Sequence, residues 1–257
     1  MTDYAFGVDI SKYQFSEDGS KKPDFEKVKA TCNFIAIRAG ISWGYTDPWF
    51  RYSWDAVRGM PRMAYHVPYF GESAQRQMDN FFNIVEPVAD WRYDRLVLDC
   101  EVQGSNSPAV ITATTNKMLA ICKARTGRYP IVYSRALWVN EHMRVKDMPK
   151  VDWWLAQYRF ALPSPLYTPE YPSPPNLPNG VSDWLIHQTA ERYNGSAVGV
   201  VSRYVDSNRW NGSVLDVLRY FGMDNVEPEP EVPPELSDKE KLDKLWEAHP
   251  ELHGLGD

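Results

Sequence analysis

Short apolar runs recur along this chain, separated in its first half by longer amphipathic stretches. The runs are Ala5 to Asp9, Phe34 to Arg38, Met63 to Pro68, Leu96 to Glu101, Pro130 to Ser134, Trp153 to Gln157, Trp184 to Gln188 and Tyr204 to Asp206, which gives eight predicted strands. Between the early runs, helical periodicity covers Asp24 to Thr31, Pro48 to Arg58, Ser73 to Val85 and Pro108 to Arg125, with Val110, Met118, Leu119 and Ile121 marking an apolar face on the last. Alternating strands and helices predict parallel strands and an α/β fold. After the sixth run the pattern changes: Leu162 to Gly180 carries seven prolines and cannot form a regular helix. The expected architecture is a TIM-like barrel, irregular in its final third, with its chemistry at the C-terminal ends of the strands.

Four acids meet that placement. Asp9 ends the first run, Asp99 and Glu101 end the fourth, and Asp206 lies in the eighth. Side chains alternate along a strand, so Asp99 and Glu101 are expected on one face and Leu98, Cys100 and Val102 on the other. Two carboxylates forced together in a partly buried place raise at least one pKa, the condition used in glycoside hydrolysis. Closure of the barrel sets the first and eighth strands side by side, so Asp9 and Asp206 are expected to meet near the mouth. The plainer readings make Asp9 a turn former and Asp206 the cap of the final helix.

Composition narrows the class. The 257 residues suit one sizeable catalytic barrel, and a net charge of -6 without a basic run speaks against a nucleic-acid partner. Ten Trp, fifteen Tyr and ten Phe supply many flat apolar faces of the kind that stack on sugar rings. Cys32, Cys100 and Cys122 lack metal-ligand spacing and are expected as buried free thiols. Neither a Sec signal pattern nor a membrane-spanning run is present, so synthesis in the cytoplasm without Sec export is expected. Asn194-Gly195-Ser196 and Asn211-Gly212-Ser213 read as turns.

The barrel is expected to occupy residues 1–222, followed by an acidic, proline-rich linker at 223–236 and a short helical tail at 237–257. Ser237 would cap that helix, whose Leu242, Leu245 and Trp246 share one face and need a docking partner: the barrel, a cell wall or another subunit.

Taken in order, Gly7-Val8-Asp9-Ile10-Ser11 with Tyr13-Gln14, Phe34 to Gly40, Ala64-Tyr65-His66, Gln77 with Phe81, Leu98-Asp99-Cys100-Glu101, Pro130 to Ser134, Trp154-Leu155-Ala156, Trp184 with Gln188, and Val205-Asp206 resemble the glycoside hydrolase family 25 lysozymes. The resemblance implies a (β/α)5(β)3 barrel that cleaves the β-1,4 bond between N-acetylmuramic acid and N-acetylglucosamine in bacterial peptidoglycan. It places the general acid on Glu101 and its partner on Asp99, with Asp9 and Asp206 as further pocket carboxylates and no metal or cofactor. Asp99 would either orient the substrate's 2-acetamido group or activate water. Two departures are Phe25, where many members carry Trp, and the proline-rich segment.

Tyr65, Tyr133 and Trp154 would line the saccharide cleft, with barrel packing as the alternative use of each; Gln188 would hydrogen-bond nearby. Arg38 would pair with a pocket acid or form an ordinary surface ion pair. His66 and His187 are expected to be structural. A cell-wall lytic role of the phage endolysin type follows from the resemblance together with the missing signal. The competing classes are a metal-dependent glycan deacetylase or hydrolase using Asp9, Asp99, His66 and His187, and a catalytically silent glycan-binding or virion protein.

Overall fold

The structure, a computed structural model, describes residues 4–158 and 173–224. The expected linker and tail helix, and most of the proline-rich segment, lie outside the described residues. Eight strands close into a barrel: β1 (Phe6–Ile10), β2 (Phe34–Ile41), β4 (Arg62–Val67), β5 (Arg95–Asp99), β6 (Ile131–Ser134), β7 (Trp153–Ala156), β8 (Ile186–Asn194) and β9 (Tyr204–Trp210), with β1 also paired to β2. A two-residue strand that the sequence pattern did not show, β3 (Tyr45–Thr46), folds back on the end of β2. The helices are α1 (Phe25–Thr31), α2 (Phe50–Ala56), α3 (Ala74–Val85), α4 (Pro108–Thr126), α5 (Ala136–His142) and α6 (Val214–Phe221).

Local chemistry sets the boundaries. Asp24, Ser73, Ser107 and Ser213 each accept a backbone N–H at a helix start, and Gly127 and Gly222 end α4 and α6 in the left-handed conformation. Ser213 forms a capping box with Asp216, so Asp206 does not cap the final helix. On α4 the buried face is Ile111, Thr115, Met118, Leu119 and Cys122, whereas Val110 is 44% exposed. An apolar residue in the first turn of that helix faces solvent, which corrects the expected face by one position.

Seven of the eight barrel strands run parallel, but β9 is antiparallel to both β8 and β1. The chain returns from β8 through the short 3-10 turn Gly195–Val198 in place of a helical crossover, and so short a connection permits only an antiparallel neighbour. Asp206 therefore stands near the start of a strand that continues to Trp210. It still lies at the mouth, because an antiparallel strand begins where its neighbours end.

The interior is filled by Phe34, Met63, Val97, Ile131, Trp154 and Ile186, and Trp210 packs edge-on to Phe34 and against Phe221 of α6, which closes the opposite end. Gly7 is required by this filling: a Cβ there would fall 2.6 Å from the Phe34 ring. A second layer lies between strands and helices, where Cys32, Cys100 and Cys122 are buried free thiols.

Arg62 and Asp94 form a buried ion pair, Nε to Oδ1 at 2.8 Å, while Arg62 Nη1 donates to the Trp54 carbonyl at 2.6 Å and the guanidinium sits over the Trp54 ring. Arg62→Ala leaves the Asp94 carboxylate buried and unpaired, and should cost about 3–5 kcal/mol in denaturant unfolding. A loss below about 1 kcal/mol would show that the pair is solvated.

Candidate active site

Strand alternation and barrel closure converge at one end, where a cleft of about 430 Å³ opens. All four acids line it: Asp9 from β1, Asp99 at the end of β5, Glu101 in the following loop and Asp206 from β9. Asp9 and Asp206 are direct cross-strand partners. The five other residues singled out in the sequence, Arg38, Tyr65, Tyr133, Trp154 and Gln188, also line the cleft. Val102 does too, against expectation, because β5 stops at Asp99 and strict alternation stops with it. Cys100, by contrast, is buried behind the strand.

The protonation of Asp9 follows from a chain of hydrogen bonds. Trp154 Nε1–H can only donate, and it does so to Asn208 Oδ1 at 2.8 Å. This turns the Asn208 amide so that Nδ2 donates to Asp9 Oδ2 at 2.7 Å. Tyr133 and Tyr158 hydroxyls both donate to Gln188 Oε1 at 2.8 Å, so Gln188 Nε2 faces Asp9 Oδ2 and donates at 2.9 Å. Two donors on Oδ2 make it an acceptor, so that oxygen carries no proton. Burial raises the Asp9 pKa, and these bonds from Asn208 and Gln188, with a third from Asp206, oppose the rise.

Asp206 supplies the proton between this pair. Burial first, then the adjacent Asp9 charge, pushes its pKa up to about 10, and as a neutral acid it donates to Asp9. The consequence for stability has a definite sign. The native state holds this proton while the unfolded chain releases it above its ordinary value of 3.8, so stability is lost as pH rises from near 4 towards 10. Asp206→Asn keeps a donor to Asp9 and removes the titration. We expect a higher Tm than wild type at pH 8, no gain at pH 4, and activity within about tenfold of wild type. An equal Tm difference at both pH values would contradict the shared proton.

Asp99 is raised well above the carboxylate range by burial, then by the charges of Glu101 and Asp9, against the pull of Arg38 and Arg135. Its Oδ1 is buried and has no hydrogen-bond partner among the described residues. Glu101 stands more open at the rim; burial raises its pKa, Arg135 lowers it, and Asp9 adds a further rise. The four acids thus titrate as a cluster, with protons retained above the usual carboxylate range.

Arg38 pairs with none of the four. Its Nε and Nη2 both reach Asp47 Oδ2 at 2.9 Å in a nearly buried ion pair, which also corrects the surface-pair alternative. Tyr65 is raised well above its ordinary value, chiefly by burial and then by Asp9. The expected structural histidines lie elsewhere: His66 stacks on Phe81 of α3, and His187 bonds to Arg209 Nε and the Gln157 carbonyl.

Several lining residues were missed, among them Tyr13, Tyr69, Arg135, Tyr158 and Glu191. Asn208 and Arg135 had available signals. Asn208 shares the i, i+2 spacing with Asp206 that placed Asp99 beside Glu101, and Arg135 directly follows β6, the position that drew attention to the acids.

A closed barrel with carboxylates gathered at the C-terminal mouth, two of them at and just past one strand end, is the arrangement of a glycoside hydrolase. Residues 8–197 match the family model described as glycosyl hydrolases family 25. The chain belongs to that family. Among relatives, the uncharacterized protein YegX of Escherichia coli O6:H1 (strain CFT073) is 26% identical over 214 residues, covering 82% of this chain and 71% of the relative. The bacterial lysozyme from Streptomyces coelicolor superposes with a TM-score of 0.67 at 25% identity, over 88% of this chain and 99% of that one. A family GH25 lysozyme from Aspergillus fumigatus gives 0.64 at 23%, over 85% and 98%, and the CTP1L endolysin 0.64 at 19%, over 85% and 69%.

Proposed function

We propose that the protein is an N-acetylmuramidase that cleaves the β-1,4 bond between N-acetylmuramic acid and N-acetylglucosamine in peptidoglycan. The observation that carries this reading is the four-acid cleft on a family 25 barrel. In it Glu101, the most open of the acids, is the general acid at the glycosidic oxygen. Asp99 orients the 2-acetamido group: its unpartnered Oδ1 is the acceptor that the amide N–H would satisfy. Before substrate arrives, the more deeply buried Asp99 competes for the proton. An N–H donated to Asp99 stabilises its anion, and that charge then favours the protonated form of Glu101. Asp9, held as a carboxylate, adds negative charge opposite the developing oxocarbenium ion. Tyr65, Tyr133 and Trp154 supply the walls, Gln188 holds the Tyr133 hydroxyl, and Arg38 lies against the Tyr13 ring at the cleft.

In this reading residues 1–222 are the catalytic unit, 223–236 a spacer, and the role is bacterial wall lysis of the endolysin type. The shared fold of the CTP1L endolysin supports that role. Wild-type protein should release reducing sugar from purified peptidoglycan in excess EDTA. Complete loss of activity with chelator and its return with Zn²⁺ would favour a metal-dependent glycan hydrolase instead, free amino sugars without new reducing ends the deacetylase, and binding without cleavage the silent glycan-binding protein.

A further inference from the structure

Among the described residues, Arg135 lines the cleft with no carboxylate at ion-pair distance, and its charge acts on Glu101 and Asp99 only from further off. Arg135 leaves the end of β6 as the residue before α5, with extended backbone and no side-chain cap bond. Its guanidinium makes no ion pair within 4 Å of any carboxylate among the described residues, in contrast to Arg38 on Asp47. What holds it is Tyr158, whose ring centre lies 5.7 Å from the guanidinium. Arg135 and Tyr158 together form the partition between the acid-lined cleft and a second pocket of about 270 Å³. That pocket is lined beyond them by Ala136, Leu137, Ala156, Gln157 and Asn176, with Leu137 69% exposed. None of its lining residues among the described ones is a carboxylate.

A neutral sugar polymer needs no such cation, and four carboxylates beside it repel any anion that lacks one. An anionic branch that leaves the sugar next to the acids and turns away from them suits both pockets. The side pocket, about 270 Å³, has room for the first part of such a branch.

Resting on the muramidase reading, we infer that Arg135 and this side pocket receive the carboxylate-bearing arm of the muramic residue, making Arg135 the residue that selects muramic glycan over unsubstituted N-acetylglucosamine polymer. Arg suits the role because its planar fork binds carboxylate through two parallel N–H bonds, which Lys cannot reproduce. The methyl of the lactyl group and the first side chain would lie against Leu137.

The test uses the full-length protein on soluble, uncrosslinked peptidoglycan strands and on the same strands with their carboxylates amidated by a carbodiimide. Wild type should prefer the carboxylated strands in kcat/KM. Arg135→Gln should reduce that preference by about 10- to 100-fold, the range expected for one charged hydrogen-bonded contact, mainly through KM. Arg135→Lys should recover part of it, and Leu137→Asp, which places a like charge in the pocket, should reduce it too. In stem-bearing strands the lactyl carboxyl is already bound as an amide, so this preference reads the carboxylates of the stem peptide. An unchanged preference in Arg135→Gln would overturn the assignment. So would an equal loss of kcat on both substrates with a displaced pH optimum, which would make Arg135 a positioning residue acting through Glu101. Wild type that cleaves neither substrate would instead count against the muramidase reading.

Discussion

Glu101→Gln should abolish measurable glycan cleavage, with kcat down by about 10³-fold, while the protein remains folded. The size follows from the role: a positioned general acid contributes roughly 10²- to 10⁴-fold, and glutamine has the shape of glutamic acid but no proton to give. Retention of the fold follows from the environment. Glu101 sits at an open rim and its charge is disfavoured by burial and by Asp9, so a neutral replacement relieves repulsion without opening a cavity. Unfolding free energy should stay within about 0.5 kcal/mol of wild type. If Glu101→Gln keeps more than about a tenth of the wild-type kcat, another acid protonates the leaving oxygen, since the loss would fall short of a general acid's contribution.

Asp99→Asn should lower kcat by about 10²-fold and also move the pH profile, for two separable reasons. The loss of rate comes from losing the anion that orients and polarises the acetamido group, since misplacing a reacting group by about 1 Å costs on the order of 10²-fold. The pH effect comes from Glu101. Its required form is protonated, and the neighbouring Asp99 charge helps it stay so. Removing that charge lowers the Glu101 pKa, so the alkaline limb of kcat should move to lower pH. A limb that stays in place, or moves up, would show that the two groups do not interact in the enzyme-substrate complex. Stability should rise rather than fall at neutral pH, because the wild-type carboxyl is buried with an unpartnered oxygen.

The strands and the acids were legible because both depend on local alternation. Leu96-Val97-Leu98 fixes the parity of β5, and from that parity Asp99 faces the interior without further information. The direction of β9 was not legible in the same way. It depends on how β8 connects to it, and the turn at Gly195–Val198 is too short to announce its geometry. Strand β3 escaped because two residues, Tyr45 and Thr46, carry no period, and α5 because among its seven residues only Val139 is buried. Arg38 was found as a pocket residue but given the wrong partner. Asp47 reaches it through a hairpin nine residues away, a contact set by tertiary packing rather than by pattern. The hydrogen bonds on Asp9 Oδ2 lay furthest from the sequence, because they rest on the amide orientations of Asn208 and Gln188, which in turn rest on Trp154, Tyr133 and Tyr158.

The identity of the new chain ends tests the central claim most directly. Purified peptidoglycan digested by wild type, reduced with borohydride and hydrolysed, should yield muramitol in proportion to the bonds broken, and none above background with Glu101→Gln. Glucosaminitol in its place, anhydromuramic ends, or free stem peptides on an intact glycan would contradict it.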